Sequence, residues 1–179
     1  MLHPRVVYVQ IFTAGGTIDK VYFDAKSEYE VGEPQITEIL RTSGASFQFG
    51  CEALFRKDSL ELTDADRAEI ARHVATSDAE RVILTHGTDT MVETALAIED
   101  ALGPEPTRTV VLVGSLTPAR FKSTDAEFNV GFAAAAVQTL PPGVYIAMNG
   151  RVFRPREVRK YRPANRFESL VDGVEPDAR

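Results

Sequence analysis

The sequence predicts an α/β fold: a three-layer, doubly wound parallel sheet without a second domain. Apolar, β-branched runs at 6–12, 82–84, 110–113 and 144–148 read as strands, and the first three are apolar enough for burial on both faces. Helical patterns with short connections separate them, the alternation that lays strands parallel and covers both sheet faces with helices. Two of the runs end directly in Gly-Thr turns, Thr13-Ala14-Gly15-Gly16-Thr17-Ile18 and Thr85-His86-Gly87-Thr88-Asp89-Thr90-Met91. In open parallel sheets the ligand crevice lies beyond such strand ends, where the strand order reverses.

Taken in order, the first strand is followed by residues 19–33, a polar stretch without apolar periodicity that closes at Gly32 and reads as a lid able to open and close. Pro34 opens a short helix through Leu40. A further strand is expected over 47–55, interrupted by Gly50. Thr63, with Asp66 three residues on, marks a helix N-cap, and that helix runs to about Ala75. After the strand at 82–84, Met91, Ala95, Ile98 and Leu102 recur along one helical face that ends at Gly103-Pro104. The next helix spans about Ser123 to Leu140 and stops at Pro141-Pro142-Gly143. One domain, residues 1–163, accounts for these elements, and residues 164–179 read as a polar tail, frayed or docked.

With 179 residues and 44% hydrophobic content, the chain can fill one core. No stretch approaches the ~18 apolar residues of a membrane span. The start, Met1-Leu2-His3-Pro4-Arg5, leads into the first strand rather than a signal peptide. Cys51 is the only cysteine, which excludes an internal disulfide and a cysteine metal cluster and makes the cytoplasm the expected compartment. Histidines 3, 73 and 86 are too scattered for a metal site, so neither metal nor organic cofactor is expected. A net charge of −6 argues against nucleic acid as a partner. That charge is uneven, because residues 151–166 carry a net +6 and the remainder −12. The segment is either a solvated surface or the counterpart of an acidic face, on this chain or on a neighbouring subunit.

Each Gly-Thr turn places a hydroxyl where glycine lets the backbone bend and a ligand approach. If the two strands are neighbours, Thr17 and Thr88 face each other across the crevice. Backbone N–H groups at the start of the second helix would favour a carboxylate or a developing oxyanion. Simpler readings stand beside this one. Thr88 or Asp89 could be a plain helix cap, His86 a packed histidine, Tyr29 a loop aromatic, and Lys160 one more surface cation. A phosphate-binding turn would need spacing and a lysine that Gly15-Gly16-Thr17 lacks.

The two turns resemble the signatures of the bacterial-type asparaginases and glutaminases. Further segments match in order: Tyr29-Glu30-Val31-Gly32 is similar to the family's mobile-loop tyrosine segment, and Lys57-Asp58-Ser59-Leu60-Glu61-Leu62-Thr63 to its Asp-Ser-x-Asp-Met-Thr segment. Val113-Gly114-Ser115 is similar to a later strand turn, and Arg156-Glu157-Val158-Arg159-Lys160 to the segment with the active-site lysine. The likeness covers about residues 6–165. It implies that Thr17 is the first nucleophile, with Tyr29 on a lid taking its proton. It implies that Thr88, Lys160 and Asp89 form a second hydroxyl–amine–carboxylate group for deacylation. Ser59 would hold the α-carboxylate of the substrate and Asp89 its α-amino group, with Gly16, Leu60, Gly87 and Ser115 lining the site.

The activity so implied is hydrolysis of L-asparagine to L-aspartate and ammonia through an acyl-threonine, with glutamine as a side substrate. The other class of function weighed is a catalytically weak amino-acid-binding protein that keeps the carboxylate-binding half. Against the family pattern, the expectation is a short single-domain form without the smaller C-terminal domain and the glutamate it supplies, and the residues Ala14, Leu60 and Glu61 differ from the usual ones. The expectation that follows is a homo-oligomer in which a neighbour closes the crevice.

Overall fold

The computed structural model of the chain describes residues 7–23 and 28–171. Residues 1–6, with the start of the first expected strand, residues 24–27 of the expected lid and 172–179 of the expected tail lie outside the described residues. The strands are β1 (Tyr8–Gly15), β2 (Lys20–Phe23), β3 (Glu28–Val31), β4 (Gln48–Lys57), β5 (Arg81–Thr85), β6 (Thr109–Val113), β7 (Gly143–Met148), β8 (Arg151–Phe153), β9 (Val158–Tyr161) and β10 (Arg166–Ser169). The helices are α1 (Ile36–Thr42), α2 (Asp64–Thr76), α3 (Met91–Leu102) and α4 (Ala126–Thr139).

The central sheet runs β4-β1-β5-β6-β7-β8, parallel through β7, with β8 antiparallel at one edge. Neighbouring rows face opposite sides. Phe12, Leu84, Leu112 and Ile146 are in register and pack under α2 and α3, whereas Ile11, Ile83, Val111 and Tyr145 pack under α1 and α4. Every side chain in both rows is almost wholly buried, each worth about 1.5–3 kcal/mol of transfer free energy. This two-sided burial is why the strands read as unbroken apolar runs.

The helices begin where the residue chemistry stops the previous element. Thr63 and Asp66 form a reciprocal capping box on α2, and the Lys57 amine lies 2.9 Å from the Asp66 carboxylate. Gly103, at φ 74, ends α3 with its N–H on the Glu99 carbonyl. The helix expected from Ser123 starts only at Ala126. Asp125 turns its carboxylate back to the backbone N–H groups of Leu116 and Thr117, so the preceding residues stay in the loop.

Because α3 and α4 cover opposite faces while β5, β6 and β7 advance in one direction, the β6–α4–β7 crossover has the opposite hand to the other three. The loop of residues 114–125 between β6 and α4 reaches back toward the end of β1, where the Ala119 N–H donates to the Ile18 carbonyl at 3.1 Å.

Five of the strands among the described residues were not anticipated. An Asn149-Gly150 turn, with φ of 50 and 77, folds β8 back on β7. The expected lid is in its described part a hairpin of β2 and β3, with Lys20 opposite Val31 and Tyr22 opposite Tyr29. In the described part of the expected tail, residues 166–169 dock as β10, antiparallel to β9.

Candidate active site

Among the parallel strands the order reverses between β1 and β5, and the two Gly-Thr turns stand at the carboxyl ends of those two strands. Gly15 and Gly16 have φ of 86 and 93, the left-handed region that side chains avoid. A β-carbon on Gly16 would overlap the Gly87 nitrogen and α-carbon, and one on Gly15 would lie 2.6 Å from the Lys57 carbonyl. A β-carbon on Gly87 would lie 2.6 Å from the Ser59 hydroxyl. The ends of β1, β4 and β5 thus meet backbone to backbone, and Thr17, Thr88 and Ser59 stand immediately beside that junction. The β6 turn closes on it as well, since a β-carbon on Gly114 would overlap the His86 carbonyl and lie 3.5 Å from the Thr88 methyl.

Thr17 is half-buried, and its hydroxyl has no hydrogen-bond partner among the described residues. Thr88 is buried, and its hydroxyl accepts a hydrogen bond from the Lys160 amine at 3.2 Å. That amine also donates to the Asn165 side-chain oxygen at 2.7 Å and lies 5.2 Å from the centre of the Phe167 ring. Burial pushes the Lys160 pKa below the ordinary lysine value; Asp89 and Asp125 oppose this and Arg162 adds to it. Neither Thr88 nor Asp89 caps a helix. The cap position of α3 is Thr90, which makes no capping bond, and its hydroxyl instead donates to the Ser59 carbonyl at 2.8 Å.

The Asp89 carboxylate lies 3.8 Å from the Arg162 guanidinium. Ser59 is buried at the junction, while Leu60 next to it is 63% exposed. Ser115 is buried, and its hydroxyl donates to the Thr117 carbonyl at 2.6 Å, within its own turn. Tyr29 is half-exposed, its ring 6.1 Å from Phe121 and 5.4 Å from Tyr22. With Lys20, Asp58 and Leu60 it lines a cavity of about 580 Å³. A cavity of about 640 Å³ elsewhere, walled by Leu102, Pro104, Pro142 and Arg154, includes none of the anticipated site residues.

The junction rests on His86, packed as one of the simpler readings had it, and on residues that sequence reasoning passed over. His86 is fully buried. One ring nitrogen lies 2.7 Å from the Gly87 carbonyl, so it carries the proton, and the other accepts from the Thr94 hydroxyl at 2.8 Å. Burial lowers its pKa to about 4, so the imidazole is neutral and props the turn. Asp125 holds the loop after β6 by two backbone N–H groups and the Asn129 amide, and Asn129 in turn accepts from the Asn149 N–H. An acid four residues before an asparagine at a helix start is the only signal these two give. Asn165 and Arg162 lie in a loop whose sequence announces only a turn.

The basic segment meets the chain's own acids. Arg156 pairs with Glu99 and Asp100, and Arg159 and Arg166 with Glu168. Among the described residues no helix is long and apolar enough to cross a membrane.

A family model described as "Asparaginase, N-terminal" matches residues 8–172. The glutaminase-asparaginase of Acinetobacter glutaminasificans is 30% identical over 131 residues, which cover 71% of this chain and 38% of the relative. L-asparaginase 2 of Escherichia coli is 30% identical over 168 residues, 85% of this chain and 46% of that enzyme. The solved structure of the thermostable L-asparaginase from Thermococcus kodakarensis superposes with a TM-score of 0.77 at 25% identity, over 91% of this chain and 51% of that one. The chain spans less than half the length of the curated relatives it matches.

Proposed function

The chain belongs to the asparaginase family, and we propose that it is an amidohydrolase that converts L-asparagine to L-aspartate and ammonia through an acyl-threonine. The Thr17 oxygen attacks the side-chain amide carbon, its proton passes by way of the Tyr29 hydroxyl to the amide nitrogen when the β2–β3 hairpin closes, and the C–N bond breaks to release ammonia and leave the acyl-threonine ester. Water then attacks the ester. Thr88, with its proton drawn by the neutral Lys160 amine, activates that water and restores the free Thr17 hydroxyl. Ser59 takes the α-carboxylate and Asp89 the α-ammonium group.

The single observation that supports this reading most is the Lys160–Thr88 contact of 3.2 Å at the strand-order reversal, with an amine whose pKa burial has lowered. A threonine hydroxyl is a poor nucleophile until a neighbour takes its proton, and an amine does so only when its own proton is loosely held. Glutamine enters as a second substrate through relatives named glutaminase-asparaginase, and one extra methylene is worth only ~1–3 kcal/mol of discrimination.

The test is ammonia release from asparagine by the chain and by Thr17→Ala. Turnover should fall by several orders of magnitude in the variant while calorimetric aspartate binding persists. Full turnover in Thr17→Ala would remove the nucleophile, and aspartate binding without any ammonia from the unaltered chain would favour the binding-protein reading.

A further inference from the structure

We propose that Asn165 is a positioning residue for Lys160, its side-chain oxygen holding the amine on the line to Thr88. The inference rests on the amidohydrolase reading and names the group that makes its second step work.

The β9–β10 hairpin builds the cradle. Lys160 and Phe167 are directly opposed across the two strands, which sets the ring beside the amine. The connecting turn ends at Asn165 with φ 48 and ψ 45, its N–H on the Arg162 carbonyl at 3.0 Å. Asparagine enters this left-handed region more readily than most residues, but glycine does so at less cost. Glycine lacks the amide oxygen, and here that oxygen lies 2.7 Å from the Lys160 nitrogen, closer than the Thr88 hydroxyl at 3.2 Å. Turn geometry alone leaves this contact without a purpose.

The chemistry of the contact suits a base. A charged lysine amine offers three N–H donors and a neutral one two, together with a lone pair. To take the Thr88 proton, the amine must turn its lone pair to that hydroxyl while something else keeps it in place. An amide oxygen accepts an N–H from either protonation state, so its hold persists when the proton has left. A carboxylate would hold the charged form more strongly and keep the proton on the amine. The charged groups facing Lys160 are Asp89 from the turn after β5, Asp125 ahead of α4 and Arg162 in the same hairpin. Two carboxylates already favour the charged amine, and a neutral acceptor avoids adding a third.

Two substitutions separate positioning from folding. Asn165→Gly keeps the left-handed turn and loses the oxygen. Its thermal midpoint should stay close to that of the unaltered chain, KM for asparagine should change less than about twofold, and kcat should fall roughly ten- to a hundredfold. Asn165→Asp keeps an oxygen and adds charge, so the acid limb of the kcat–pH profile should move up by about one pH unit. An unchanged kcat in the glycine variant, or an unmoved limb in the aspartate variant, overturns the proposal. The unaltered chain and Lys160→Ala are assayed first. Absence of ammonia release from the former, or full activity in the latter, defeats the amidohydrolase reading itself. An active chain silenced by Lys160→Ala but indifferent to both Asn165 variants defeats only the role of Asn165.

Discussion

Gly16 and Gly87 touch through their backbones, with no space between them for even one β-carbon. The contact joins the two turns that carry Thr17 and Thr88 and sets how far apart they stand. Alanine at Gly16 would have to push the β5 turn away and also adopt a φ of 93. The expected loss is about 2–4 kcal/mol of stability in urea unfolding, with ammonia release lost at temperatures where the variant still folds. Gly131 on α4 is the control. A β-carbon there meets nothing within 4 Å, so Gly131→Ala should stabilise by about 0.5–1 kcal/mol and leave activity unchanged.

Lys160 has a lowered pKa, and the sign of its effect on rate follows. The amine works as a base only when neutral, so kcat should rise with pH, with a midpoint below the ordinary lysine value of 10.5. Lys160→Arg keeps the positive charge but cannot lose a proton at accessible pH, so kcat should drop by roughly 10²–10⁴ and lose its rising limb. A rising limb of the same midpoint in the arginine variant would assign the titration to another group.

Sequence legibility followed burial. β5 and β6 are covered on both faces, so their apolar runs could be read directly, and α2 and α3 carried a capping box and a stripe with a glycine stop. β2, β3, β9 and β10 form two-stranded sheets of four residues a strand, and although β2 is mostly apolar and β3 alternates Glu-Tyr-Glu-Val, runs so short, set in polar surroundings, do not stand apart from loops. β8 did have a signal, the Asn149-Gly150 pair, and three residues were too short to draw attention to it. At the site, the glycines and threonines were legible because each turn is local in sequence. The grip of Asn165 on Lys160 and of Asp125 on the β6 turn depends on a hairpin and on a crossover of unusual hand, which no local pattern encodes.

Asp125 offers a test of that crossover loop. Its carboxylate accepts from Leu116 and Thr117 N–H groups at 3.0 Å and from the Asn129 amide at 2.8 Å. Asp125→Ala strands these donors beside a buried asparagine, and the expected cost is about 2–4 kcal/mol. Hydrogen exchange at Leu116 and Thr117 should accelerate well beyond that of the β6 amides. Equal acceleration throughout β6 would mean that the carboxylate supports the whole sheet edge and not this loop.

Asp19 sits where the β2–β3 hairpin leaves the Thr17 turn, and burial raises its pKa from 3.8 to about 6 against the pull of the Gln35 N–H and Arg56. Its carboxylate accepts from the Gln35 N–H at 2.8 Å, and its carbonyl accepts from the Gly32 N–H at 2.8 Å, so it ties both ends of the hairpin. A raised carboxyl pKa means that the unfolded chain releases this proton first. The stability present below about pH 3.8 is therefore lost progressively as pH rises to about 6 and is constant above. Asp19→Asn keeps an oxygen for Gln35 and removes the charge. It should unfold later than the unaltered chain at about pH 7.5, by on the order of 2–3 kcal/mol, and show no advantage at about pH 3.5. An equal gain at both pH values would shift the cause from the buried charge to packing, and a gain at neither would mean that the carboxylate is solvated when the hairpin moves.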